Sequence, residues 1–256
     1  MDQVPSVAIV TGASSGIGRE FVIHLDKISA ADELWIISRN REALESLSSS
    51  IKTKTVIIEA DISDEEGIKI LSTKIQDDAP AIKLLANCAG VGYRYKVEDQ
   101  SDTELKDTIG INCTALTRIC RMCIPNMQDG AGIINIASSA GFIPQPGFAV
   151  YAASKSYVIS FSRALSQELK PRQIRVTAVC PGPVKTAFQT RATRGAGEEF
   201  TGFRAHIVKD PKTVAEGAFK ANAKGRRLYV PGISQKLLHL ISKIIPQNWI
   251  IRLIKC

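Results

Sequence analysis

The chain has 256 residues, 45% of them hydrophobic, enough to bury a sizeable core in one large α/β domain or two small ones. Its formal charge of +8 resides in the C-terminal part, where Lys220, Lys224, Arg226, Arg227, Lys236, Lys243, Arg252 and Lys255 follow Glu216 with no acidic residue among them. A formally neutral body with a basic tail argues against a nucleic-acid-binding face, which would spread its charge over the fold.

Short apolar runs alternate with segments of helix length along the chain: "SVAIVT", "ELWIIS", "TVIIEA", "IKLLAN", "GIINIAS" and "IRVTAV". Arg41–Ser50 and Asp64–Asp77 are two of the intervening helices. Such alternation predicts a doubly wound parallel sheet with helices on both faces, and the nearly continuous Val/Ile/Leu strands agree with burial on both sides. No internal repeat or low-complexity linker interrupts the pattern, so residues 1–256 are read as a single domain. Open sheets of this kind bind ligands beyond the carboxyl ends of their strands. Here those ends are Gly12, Ser38-Arg39, Asp61, Asn87, Ser138 and Pro181-Gly182.

The first junction, "TGASSGIG", sets Gly12, Gly16 and Gly18 between a strand and a helix. Glycines let the backbone turn tightly against a pyrophosphate, whose charge a helix N-terminus stabilises. The same letters satisfy G-x-S-x-G, the nucleophile elbow of α/β-hydrolases. Ser14 follows the first strand, however, and none of His24, His206 and His239 sits at a predicted strand end, which speaks against a hydrolase. The second junction selects the cofactor. A site for NAD wants a carboxylate about 20 residues past the glycines. This chain has Ser38 followed by Arg39, which favours the 2′-phosphate of NADP(H); the plain alternative is an arginine solvating a loop.

Downstream, Ser101 and Glu104 form a capping box for a long helix whose apolar stripe is Leu105, Ile109, Leu116 and Ile119. Asn112 falls on that stripe, either as a satisfied core amide or as a polar group aimed at a site. Cys120 and Cys123 form a C-x-x-C in the same helix with no second ligand pair nearby, so no metal is expected. The six cysteines (88, 113, 120, 123, 180, 256) are scattered, which fits a reducing compartment. Further on, "YAASK" places Tyr151 and Lys155 one helical turn apart, so their polar tips can meet. No N-terminal signal precedes the first strand and no apolar run reaches the roughly 20 residues of a membrane span, so the expected location is the cytoplasm.

Taken together, these residues resemble the short-chain dehydrogenase/reductase family. "TGASSGIG", "NCAG" (Asn87–Gly90), Asn112, Ser138 thirteen residues before Tyr151, Tyr-x-x-x-Lys at 151–155 and "PGPVKT" (Pro181–Thr186) match its motifs over about residues 6–186. "RRLYVPG" reads like its last strand, and the tail is most similar to members acting on bulky hydrophobic alcohols and ketones, hydroxysteroid or bile-acid-like compounds included. The resemblance implies a Rossmann-type fold, a homodimer or homotetramer, and NADP(H)-dependent interconversion of a secondary alcohol and a ketone. It implies that Asn112, Ser138, Tyr151 and Lys155 are catalytic, with Ser138 orienting the substrate oxygen and Asn112 anchoring a water that feeds protons to Lys155. The cofactor would rest on Gly12, Ser14, Ser15, Gly16, Ile17, Gly18, Ser38, Arg39, Asp61, Ile62, Asn87, Ala89 and Gly90. Tyr151, Lys155, Pro181, Val184 and Thr186 complete that set. An ammonium about 4 Å from a phenolate stabilises it by up to roughly 4 kcal/mol at an effective dielectric of 20, or about 3 pKa units, which would bring Tyr151 near neutrality. The competing class is a catalytically idle NADP(H)-binding sensor, which would need only the glycine loop and Arg39.

The substrate pocket is expected from Tyr93, Ser138, Phe142, Gln145, Phe148, Tyr151 and Phe188, with residues 187–208 as a lid whose Arg191, Arg194 and Arg204 meet either solvent or an anionic substrate. In the tail, residues 234–256, Leu237, Leu238, Ile241, Ile244 and Ile245 form one expected apolar face, and Lys236, His239, Ser242 and Lys243 the other. Past Pro246, a second apolar face has Trp249, Ile250, Leu253 and Ile254. Packing over the substrate mouth or against another subunit is the first reading, and peripheral contact with an anionic membrane the second.

Overall fold

The strands expected from the apolar runs pair side by side in parallel in the computed structural model, which describes residues 4–195 and 208–253. They are β1 (Ser6–Thr11), β2 (Glu33–Ser38), β3 (Lys54–Glu59), β4 (Ala81–Asn87), β5 (Met127–Ile136), β6 (Arg175–Val179) and a short β7 (Leu228–Tyr229). Their order is β3-β2-β1-β4-β5-β6-β7, so the winding reverses between β1 and β4, where such sheets open a crevice at the strand ends. Alternation along β1 sends Val7 and Ile9 to one face and Ala8 and Val10 to the other, into two separate cores. On the first face lie α3 (Glu65–Asp78), α5 (Leu116–Cys123) and α6 (Ala149–Glu168), contributing Leu71, Ile119 and Val158 among others. The second carries α1 (Gly16–Lys27), α2 (Arg41–Ser48) and α8 (Pro211–Ala223), with Phe21, Leu44 and Val214.

Helix starts follow local chemistry. Asn40 caps α2 through the Ala43 amide at 2.8 Å, and Asp64 caps α3 through Gly67 at 2.7 Å. Ser101 and Glu104 make the expected capping box on α4 (Asp102–Ile109). The long helix then departs from the expected stripe. Gly110–Ala115 is a π-helical turn between α4 and α5, and its extra residue rotates everything upstream. Leu116 and Ile119 are buried as expected, but Leu105 is only half-buried and Ile109 is exposed. Asn112 sits in that turn, wholly buried.

The tail also departs from its expected division. Two helices, α9 (Ile233–Ile244) and α10 (Gln247–Leu253), follow β7, after the short α7 (Phe188–Ala192) and α8. Leu238 and Ile241 of α9 pack inward with Gln235 and His239, whereas Leu237 and Ile244 face outward. In α10, Ile250 is buried and Trp249 is exposed. Residues 196–207, which hold Arg204 and most of the expected lid, and residue 254 lie outside the described residues.

A buried polar ladder crosses the sheet just below its carboxyl edge. Asn87 Nδ2 donates to Asn135 Oδ1 at 2.9 Å, Asn135 Nδ2 donates to Ser162 Oγ at 2.9 Å, and Ser162 donates to Val158 O at 2.7 Å. The three residues join β4, β5 and α6 where no water competes. Asn135→Ala leaves two buried donor or acceptor groups short of a partner, at about 1–3 kcal/mol each, so a loss of about 2–6 kcal/mol is expected. Urea unfolding should show a lower midpoint at unchanged slope, with Ser162→Ala losing less.

Candidate active site

The glycine loop is shaped by what stands against it. Thr11 Oγ1 accepts from the amides of Cys88 (3.1 Å) and Ala89 (3.2 Å), pinning the end of β1 to the turn after β4. Gly12, at φ +66°, lies so close that a Cβ there would come within 2.8 Å of the Ala89 backbone. A Cβ on Gly18 would collide with the carbonyl of Gly12, so α1 can begin this near the loop only with glycine there. The N-cap Ser15 makes no side-chain cap bond. Gly12, Ser14, Ser15, Gly16, Ile17 and Gly18 all line one cavity of about 1040 Å³.

The second and third junctions border the same cavity. Ser38 donates to Ser14 Oγ at 2.8 Å, tying the end of β2 to the glycine loop. Arg39 contacts the Asp61 carboxylate at 3.2 Å with its own side chain 59% exposed, so its guanidinium is both placed and accessible. Burial pushes the Asp61 carboxyl up, but hydrogen bonds from Ser63 and Arg39 outweigh that and hold it below its ordinary value. Ile62, Ala89 and Gly90 line the cavity as expected. Asn87 does not: it is 2% exposed, and its amide is drawn into the sheet by Asn135 and Cys120. The set fits a dinucleotide, since it offers a cradle without Cβ atoms, a helix N-terminus beside it and a cation at the ribose end.

Ser138, Tyr151 and Lys155 line the opposite wall. Ser138 Oγ accepts from the Ala140 amide at 3.1 Å and is hydrogen bonded to the Tyr151 phenol. Lys155 Nζ lies 5.6 Å from the Tyr151 ring centroid and donates to Ile136 O at 2.9 Å. Burial raises the Tyr151 pKa to about 12, against the opposing pull of Ser138 and Arg94. Burial lowers that of Lys155 to about 8. The expected phenol near neutrality is therefore not found in the protein alone: desolvation outweighs Ser138 and Arg94, and the hydrogen bond of the Lys155 ammonium goes to a backbone carbonyl instead. Asn112 is set behind this wall. Its Nδ2 donates to Val91 O (2.7 Å) and Ser154 Oγ (2.9 Å), and its Oδ1 accepts from Val91 N (3.0 Å). Asn112 Oδ1 and Lys155 Nζ each stand 3.2 Å from where a Cβ of Gly90 would be.

Toward the mouth, Phe148 stacks on Tyr151 with centroids 4.3 Å apart, and Phe188 lies against the same ring at 5.3 Å. Gly92 leaves the space that the Tyr151 ring occupies. Gln145, Tyr93, Pro181, Val184 and Thr186 line the cavity as expected. Phe142 does not; it turns away onto the His239 ring at 4.3 Å. Arg191 is on the cavity wall, and Arg194 is held by Glu104 at 2.8 Å and lies over Tyr95. Arg94 and Gln235 escaped the sequence reading. Arg94, 5.2 Å above the Phe148 ring, carries no motif that would mark it. Gln235 and Leu238 of α9 also line the cavity, and Gln235 presses against Gly182; the reading of the tail as packing over the substrate mouth included Leu238 but not Gln235. Cys120 and Cys123 are core thiols raised by burial, Cys120 to about 12.

Residues 6–196 match the short chain dehydrogenase family. The probable short-chain type dehydrogenase/reductase VdlC of Helicobacter pylori is 28% identical over 261 residues, covering 95% of this chain and 94% of that one. The solved short-chain dehydrogenase from Sphingobium yanoikuyae, in complex with NADPH, superposes with a TM-score of 0.77 at 24% identity, covering 95% of this chain and 97% of that one. The bulky-bulky ketone specific alcohol dehydrogenase from Comamonas testosteroni does so with a TM-score of 0.75 at 24% identity, covering 94% and 95%. At such identities the two structures speak for the fold alone. The sequence match runs from β1 past α7, through every junction that borders the cavity up to that point, and by it the chain belongs to the short-chain dehydrogenase family.

Proposed function

We propose that this oxidoreductase uses NADP(H) to interconvert a secondary alcohol and a ketone on a bulky hydrophobic substrate, poised for carbonyl reduction. The observation that carries the reading is the Ser138–Tyr151–Lys155 wall facing the glycine cradle across one cavity. At neutral pH Tyr151 is a neutral phenol and Lys155 is charged, so the resting site donates a proton rather than accepting one. A carbonyl oxygen reaching the Ser138 hydroxyl and the Tyr151 phenol is polarised by the first and protonated by the second. The reduced nicotinamide, when bound, supplies the hydride to the carbonyl carbon. The phenolate left on Tyr151 is stabilised by Ser138 and by the nearby Lys155 ammonium. Asn112 acts here as a positioning residue, bridging the Val91 turn to α6 through Ser154. Phe148, Phe188 and Leu238 give the mouth an apolar lining suited to a large ketone. Hydroxysteroid-like compounds are one class of that size.

Tyr151→Phe is expected to keep the fold and cofactor binding while lowering kcat by about 10²–10⁴-fold, the usual share of a general acid. A near-normal kcat on a bulky ketone would end the mechanism. Loss of the Arg39 guanidinium in Arg39→Ala should weaken NADPH binding by about 10–150-fold, the worth of a charge-assisted hydrogen bond, with little change for NADH. Titration of each nucleotide against protein fluorescence measures this directly, and equal weakening of both would assign Arg39 another role. The pH dependence follows from Lys155. A lysine is charged below its pKa, and burial has brought that pKa down to about 8, so the ammonium is present below that pH and lost as pH rises through it. The kcat/KM for ketone reduction should fall across that same range, and a flat profile there would count against a charged Lys155.

A further inference from the structure

The outward side of α9 is apolar where a docked helix is ordinarily polar. Gln235, Leu238, His239 and Ile241 turn inward, onto the cavity and the core beside Phe142. Facing away from them, Ile233 (86% exposed), Leu237 (55%), Leu240 (54%) and Ile244 (71%) follow one another at helical spacing. At 3.6 residues per turn they fall within an arc of roughly 60°. Lys236 and Lys243, both exposed, flank this stripe on one side. Just beyond it Trp249 is 68% exposed. Among the described residues no helix is long and apolar enough to cross a membrane, so the stripe has no use as a span.

We propose that α9, with Trp249, is the face by which this protein lies on the surface of an anionic lipid bilayer. The apolar stripe would enter the boundary of headgroups and acyl chains, and the flanking lysines would meet lipid phosphates, the arrangement of an in-plane amphipathic helix. Charge decides between this occupant and a second copy of the chain. The only charged residues of α9 are Lys236 and Lys243, and no acidic residue follows Glu216, so two copies of this face brought together would set basic flank against basic flank. An anionic surface complements the same charges.

The test is flotation of the full chain with vesicles of phosphatidylglycerol and phosphatidylcholine in equal parts, beside vesicles of phosphatidylcholine alone. Trp249 gives a second reading, because Trp35, the other of the two tryptophans, is already buried and its emission should not move. The expected result is flotation with the anionic vesicles, a blue shift of emission, and at least about tenfold weaker binding for Leu237→Glu/Leu240→Glu and for Lys236→Glu/Lys243→Glu. The lysine reversal changes exposed side chains only, so it keeps the test valid if the leucine pair upsets folding; circular dichroism checks both. Failure of the full chain to float with anionic vesicles, or equal binding to both kinds, would overturn the proposal. So would sedimentation showing, without vesicles, an oligomer that the leucine pair takes apart, since the stripe would then belong to a subunit contact.

Discussion

The site depends on one buried cation. Lys155 is 4% exposed, and its ammonium is hydrogen bonded to the carbonyl of Ile136, the last residue of β5. The thiols that face it, Cys88, Cys113 and Cys180, are themselves pushed upward by burial and so remain neutral. A charge placed this way is costly, so its hydrogen bond to Ile136 must be held in place by the fold around it. That constraint ties the first turns of α6 to the edge of the sheet, sets Tyr151 one turn ahead of the ammonium, and brings both against Ser138, two residues beyond Ile136. The close approach of Gly92 to the tyrosine ring and the hydrogen bonding of Asn112 across Val91 and Ser154 serve the same placement.

Seen through this constraint, the two ionisable groups divide their labour by environment more than by mutual attraction. Desolvation drives the phenol toward its neutral form and the amine toward its own, and the amine is the one left close to the physiological range. At the other end of the cavity the logic reverses. Arg39 is exposed and already answered by Asp61, so a ligand phosphate would meet a cation held in place by a carboxylate that also remains charged.

Much of this was legible in the sequence because it rests on local rules. The Val/Ile/Leu runs located β1 to β6 within a few residues, and Ser101 with Glu104 announced its helix by capping chemistry. The glycine loop and Ser138 could be placed along one sheet edge from the ends of the predicted strands, whereas Tyr151 and Lys155 joined them through the family resemblance. What failed depended on phase or on distant neighbours. The π-turn adds one residue to a helical period that periodicity cannot see, so Ile109 was assigned to the wrong face. Phe142 and Asn87 carry the right residue types, yet each is claimed by a partner far away in sequence, His239 and Asn135. The tail was divided wrongly for a related reason: a helix apolar on two sides has no single stripe for a pattern to find.

That two-sided helix has a thermodynamic corollary. Gln235 and Leu238 belong to the cavity wall while Leu237 and Leu240 belong to the outer surface, so one rigid element of twelve residues is shared by two environments. Whatever preference a filled cavity imposes on the seating of α9 must reappear, undiminished, as a change in the affinity of its outer face. The reverse holds by the same factor, because coupling between two binding events is reciprocal. With Gln235 lodged against Gly182, any shift of α9 on filling the cavity would be felt at its outer face as well.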